Sequence, residues 1–141
     1  MKNEELTAVK ELKERNLSLI AFNGSNRYES DETGIKPILM GLEKDALFFK
    51  DMEVYDKIIG KAAAMLFIYG KVKSVFGIVM SRSAQKMLES HGIEYGYETL
   101  VDSIINRKGT DICPMEKVVM DIDDIDEAYI QLKERSKELN S

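Results

Sequence analysis

The chain has 141 residues, 44% of them hydrophobic and 32% charged, which suits one soluble globular domain with a real core. A net charge of −5 with lysine and arginine scattered, never more than two together, argues against a nucleic-acid surface. A charged amphipathic start, no apolar run long enough to span a bilayer, and single Cys113 and His91 predict a cytoplasmic protein with no membrane segment, no internal disulfide and no His/Cys zinc site.

In chain order, a helix is predicted from Asn3-Glu4-Glu5 to about Arg15, with Asn3 as its cap and Leu6, Val9 and Leu12 on one face. Leu17–Phe22 reads as a strand. Asn23-Gly24 is a hairpin turn, because both residues tolerate positive φ, and Arg27–Ser30 is the returning strand. Lys36-Pro37 opens a helix burying Ile38, Leu39 and Leu42. Asp45–Val54 shows no clear period.

The most apolar stretch, Asp56–Ala84, reads as a buried helix over Lys57–Tyr69, a polar turn, a central strand over Ser74–Met80, and a helix capped by Ser81 or Ser83. That last helix ends at Gly92, with His91 as a C-terminal capping residue. Ile93–Tyr97 alternates like a strand, and Leu100–Ile105 fits a helical turn or a short strand. A polar loop, Asn106–Asp111, precedes helices over Met115–Met120 and Asp126–Leu139. A leading hairpin followed by alternating helices and strands predicts an α/β fold, a three-layer α-β-α sandwich with a mixed sheet.

Several residues carry two readings. Ser81, where a strand hands over to a helix beside Arg82, fits either a phosphate site or a plain helix cap. Lys61, on a background of Ile and Ala, fits either a reactive or anion-binding lysine or one whose ammonium reaches water. Cys113 opens a helix, where a thiol is activated, but Asp111 opposes that activation; inert packing is the alternative. The DIDDIDE run at Asp121–Glu127 lacks the spacing and glycine of a calcium loop and fits a solvated helix start. No glycine-rich phosphate fingerprint is present.

Five stretches, LSLIAFNGSNRYES, DKIIGKAAAML, FGIVMS with SRSA, HGIEYGYE and GTDICPMEKVV, together resemble a bacterial and archaeal family of unknown function placed in the cytidine deaminase-like fold. The resemblance spans about Glu4 to Met120. It implies a single deaminase-like domain over residues 1–141, with 121–141 as a C-terminal helical extension. Zinc deaminases start one helix with His-x-Glu and the next with Pro-Cys-x-x-Cys. Here the first start reads Gly60-Lys61-Ala62 and the second Cys113-Pro114-Met115-Glu116, so only one metal ligand remains and the proton shuttle is missing.

The resemblance therefore implies a catalytically silent domain without a cofactor. Its cavity, between the two helix starts, would bind a nucleotide-like small molecule in a regulatory role. Lys61, Asp111, Cys113 and Glu116 would stand near the mouth, with Asp56 and Ser81 as further neighbours. Two alternatives stay open: a metal-free enzyme using Lys61 or Cys113 covalently, and a homo-oligomeric structural protein.

Overall fold

The computed structural model describes the backbone of residues 3–140 and the side chains of residues 5–139. Met1 and Lys2 lie outside them, as does the side chain of Asn3, the predicted cap of the first helix. The elements run α1 (Asn3–Glu14), β1 (Leu19–Asn23), β2 (Asn26–Ser30), α2 (Lys36–Lys44), β3 (Glu53–Ile59), α3 (Lys61–Tyr69), β4 (Ser74–Ser81), α4 (Arg82–Ser90), β5 (Glu94–Val101), α5 (Pro114–Val119) and α6 (Ile125–Asn140). The five strands form one mixed sheet in the order β2-β1-β3-β4-β5. β1 is antiparallel to both β2 and β3, whereas β3, β4 and β5 are parallel. Among the described residues, no helix is long and apolar enough to cross a membrane.

The hairpin forms, but its loop is Gly24-Ser25, one residue later than the predicted Asn23-Gly24 turn, with Asn23 the last residue of β1. Asn23 pairs with Asn26, and Gly24 takes φ +60 in the two-residue loop between them. α4 begins at its Ser81 cap, ends at His91, and is followed by Gly92 at φ +68. The strand after it is longer than Ile93–Tyr97: β5 continues through Leu100 to Val101. Pairing with β4 out to Ser81↔Val101 extends it beyond the alternating residues.

The helix predicted over Lys57–Tyr69 needs correction. Its first turn is strand: Glu53–Ile59 is β3, inserted between β1 and β4 and hydrogen-bonded on both sides. The helix starts only at Lys61, with Gly60 as its cap. A short apolar run has no local period that separates a strand from a buried helix, and here two flanking strands decide. β3 also occupies part of the Asp45–Val54 stretch.

Two apolar clusters hold the sheet. Ala8, Val9 and Leu12 of α1 pack with Ile20, Tyr55 and Phe76. Leu19, Ala21, Val54 and Val75 belong to a larger cluster with the buried residues of α2, α3, α4 and α6. α3 lies deep in it, with Ala62 to Phe67 all buried, and the three alanines keep its backbone close to its neighbours. Fully buried Phe49 is central to an aromatic group, meeting Tyr28, Phe48 and Phe67 edge-on at ring-centre distances of 4.9 to 6.1 Å. The parallel strands end together, with Ile59 beside Met80 and Ser81 beside Val101.

Candidate functional site

β3 runs through Ile59 and Gly60 straight into α3, so the first amide groups of α3 are aimed outward from the carboxyl edge of the sheet. They are not left free. The Glu116 carboxylate of α5 accepts from Lys61 N–H through Oε1 and from Ala62 N–H through Oε2, each at 2.8 Å. A carboxylate at that position satisfies two of the helix's open donors and meets the positive end of its dipole. The contact exists because residue 60 is glycine. A Cβ there would lie 2.3 Å from Glu116 Oε1 and 2.5 Å from its Cδ. Gly60 has an ordinary extended conformation, φ −98, so the requirement is space and not backbone freedom.

Burial pushes the Glu116 carboxyl upward from the usual range, while the Ala62 and Lys61 amides and the Lys61 charge pull it back. The Lys61 side chain is only 13% exposed. Its ammonium bonds Asp123 Oδ1 at 3.2 Å and the Met120 carbonyl at 3.4 Å. α3, α5 and the turn into α6 thus meet at one point, where a lysine and a glutamate are both held at a helix start.

The sequence-predicted site residues fall into three groups. Lys61 and Glu116 come together as described. Cys113 is half-buried with a free thiol and caps α5 without a side-chain hydrogen bond. Asp111 is exposed and bonds Lys117, which holds its carboxyl below the usual carboxylate range. Asp56 is a separate case. It sits in the middle of the sheet at 6% exposure, opposite Leu19 on one side and Gly77 on the other. Oδ1 accepts from Ile58 N–H at 3.2 Å, and among the described residues no cation pairs with it. Burial pushes its carboxyl up to about 8, against weaker opposing bonds from the Ile58 and Lys57 amides.

Ser81 is the α4 cap. Its buried Oγ accepts from Ala84 N–H at 3.1 Å and lies 3.1 Å from Ser83 Oγ, while Arg82 turns to Asp102 at 2.9 Å. Substituting Ser81→Ala removes one cap bond and is expected to cost about 1 kcal/mol, measured by urea unfolding; a change under about 0.3 kcal/mol would refute the capping role.

The helices that begin at Lys61 and Pro114 are separated by β4, α4 and β5, as the predicted element order has them. They meet through tertiary packing alone. The open cavity expected between their starts is closed at the point of contact by Glu116, and two surface clefts lie elsewhere, one between α2 and α6 and one beside Tyr69. Sequence reasoning also passed over Gly60 and Asp123. Gly60 would have stood out as a strand-to-helix turn had β3 been recognised. Asp123 lay inside an acidic run otherwise explained by the α6 start, where Asp124 Oδ1 indeed accepts from Glu127 N–H at 2.8 Å. Among the described residues, no three of His, Cys, Asp and Glu are grouped to hold a metal ion.

Residues 7–135 match the family model described as TM1506, domain of unknown function (DUF1893). The chain belongs to this family. The DUF1893 assignment agrees with the solved structure of a DUF1893 family protein (TM1506) from Thermotoga maritima. That protein is 28% identical and superposes with a TM-score of 0.86 over 96% of this chain and 91% of the other. No curated protein matches this DUF1893 chain.

Proposed function

We propose that this DUF1893 domain is a catalytically silent, deaminase-like module that binds a nucleotide-like small molecule at the carboxyl edge of β3 and β4, in a regulatory role. A three-layer, deaminase-like reading of the fold is supported by the strand order β2-β1-β3-β4-β5 with β1 reversed, and by helices contributing to both apolar clusters. The observation that carries the functional reading is the Lys61–Glu116 arrangement. Open α/β sheets take ligands in the crevice beyond the carboxyl ends of their parallel strands. Here that edge holds the Lys61 ammonium, paired with Asp123, and the Glu116 carboxylate, seated on the α3 amides, so a ligand would bring an anionic group to replace Asp123 and a ring N–H to replace one of those amides. Gly60, Lys61 and Ala62 supply neither a metal ligand nor a carboxylate to move protons, which separates the module from zinc deamination.

The test is a thermal-shift panel of nucleosides, nucleotides and sugar nucleotides against the wild type and Lys61→Ala. A true ligand at about 100 times its Kd stabilises by about 2.7 kcal/mol, which for a domain of this size is a rise of several degrees. Lys61→Ala is expected to lower the affinity about tenfold, the loss of one charged contact. If no compound in the panel shifts the transition, nucleotide-like binding is wrong.

A further inference from the structure

We propose a second, separate binding site: the groove between α2 and α6 takes a small phosphorylated anion. The groove has a volume of about 330 Å³, within the range of small-molecule sites. Lys36 enters it from the first turn of α2, and Lys133 and Lys137 enter from successive turns of α6, with the half-buried Ser136 between them. Glu43 is the acid in the lining, and Met40 supplies an apolar wall. Three lysines and one glutamate line the groove, with Glu32 beside Lys36 as a second acid nearby, against a balance of −5 for the whole chain.

The lysines are not explained by internal partners. Lys133 lies over the Tyr129 ring at 5.7 Å, and among the described residues neither Lys133 nor Lys137 forms an ion pair. Lys137 complements the negative end of α6, which accounts for one of the three. Lys36 stands at the positive end of α2, where a cation is disfavoured, and has only an exposed contact with Glu32 at 3.5 Å. The start of α2 lacks a side-chain cap from Ile35. Lysines from two helices on one groove, one of them at a helix start without a side-chain cap, favour a multiply charged anion lying between them. Ser136 offers a hydroxyl donor, and Met40 can pack a small organic body joined to the phosphate.

Inorganic pyrophosphate is the probe, titrated into the isotope-labelled chain and followed by amide NMR. The expected result is saturable perturbation of the first turn of α2 and the last turns of α6, weakened at least ~10-fold in the double variant Lys133→Ala/Lys137→Ala. Both substitutions are on helix surfaces, so the fold is retained, and the wild-type dispersion of the variant's spectrum checks this. The site is disproved if no perturbation is seen up to about 10 mM, a concentration that detects even very weak binding. It is equally disproved if the double variant binds unchanged, or if the perturbations centre on Gly60–Ala62. That last pattern would place the anion at the α3 start and leave the nucleotide reading standing without this one.

Discussion

Asp56→Asn is expected to make the protein markedly more stable in alkaline solution while leaving it nearly unchanged below about pH 4. The Asp56 carboxyl is buried in a central strand without a cation, and its pKa rises from 3.8 to about 8. Between those values the native chain keeps the proton and the unfolded chain has released it. Native protein then binds more protons, so stability falls as pH rises. The favourable contribution of the protonated form is complete below about pH 4, declines through the interval, and is lost above about pH 8. At 1.36 kcal/mol per unit the full swing is on the order of 5 kcal/mol, and relaxation of the site brings it lower. Asparagine keeps the acceptor for Ile58 N–H and never ionises, so the variant lacks the slope. Urea unfolding of both proteins from pH 4.5 to 9 gives the comparison, and the difference between them cancels the contribution of the other carboxylates. Parallel curves would show that Asp56 is ionised in the native state or solvated on unfolding no better than in the fold.

Gly60→Ala carries the second large effect, expected at about 2 to 3 kcal/mol of destabilisation and roughly 10 °C in Tm. The added methyl group displaces the Glu116 carboxylate, whose Oε1 would be 2.3 Å away. The glutamate tip is flexible, so the steric clash itself relieves easily. The cost lies in what is left: two α3 amides at a helix start lose a charged acceptor, and α5 loses its polar anchor to α3. Glu116→Gln tests the same contact from the other side. Its amide oxygen can accept one N–H, but its NH2 faces the second donor, so it is expected to lose about half as much. The decisive measurement is the double variant Gly60→Ala/Glu116→Ala. With Glu116 truncated the methyl group has nothing to displace, so adding Gly60→Ala costs little more, and the two losses fall well short of additive. Full additivity would place the effect of Gly60→Ala in the backbone and not in this contact.

Much of the fold was legible because it depends on local chemistry. Gly24 in the hairpin loop, Pro37 near the start of α2, Ser81 as the α4 cap and Gly92 after its end each do in the structure what their residue type predicts. The SVFGIVM run was recognisable as a central strand because both its faces are apolar. β3 was not recognisable. Asp56 and Lys57 break its apolar run, and its hydrogen-bonding partners lie far away in sequence, in β1 and β4. Missing it shifted the start of α3 by several residues and hid Gly60 as a turn. The candidate site was legible only as a list. Lys61 and Glu116 were both singled out, but not the direct bond from the Lys61 amide to the Glu116 carboxylate, 55 residues apart.

The sequence by itself therefore determined the class of the chain: α/β, with a leading hairpin, an apolar central segment and no metal-ligand spacing of the deaminase kind. Those properties follow from composition, period and turn residues, which act within a few positions of each other. Only the tertiary structure decided that Asp56–Ile59 is strand, that α3 begins at Lys61, and that Glu116 seats on its first amides against Gly60. Each of these depends on groups distant in sequence that become neighbours when the sheet closes. Their energies come from burial and from donors left open at a helix start, quantities that exist only once the chain has folded.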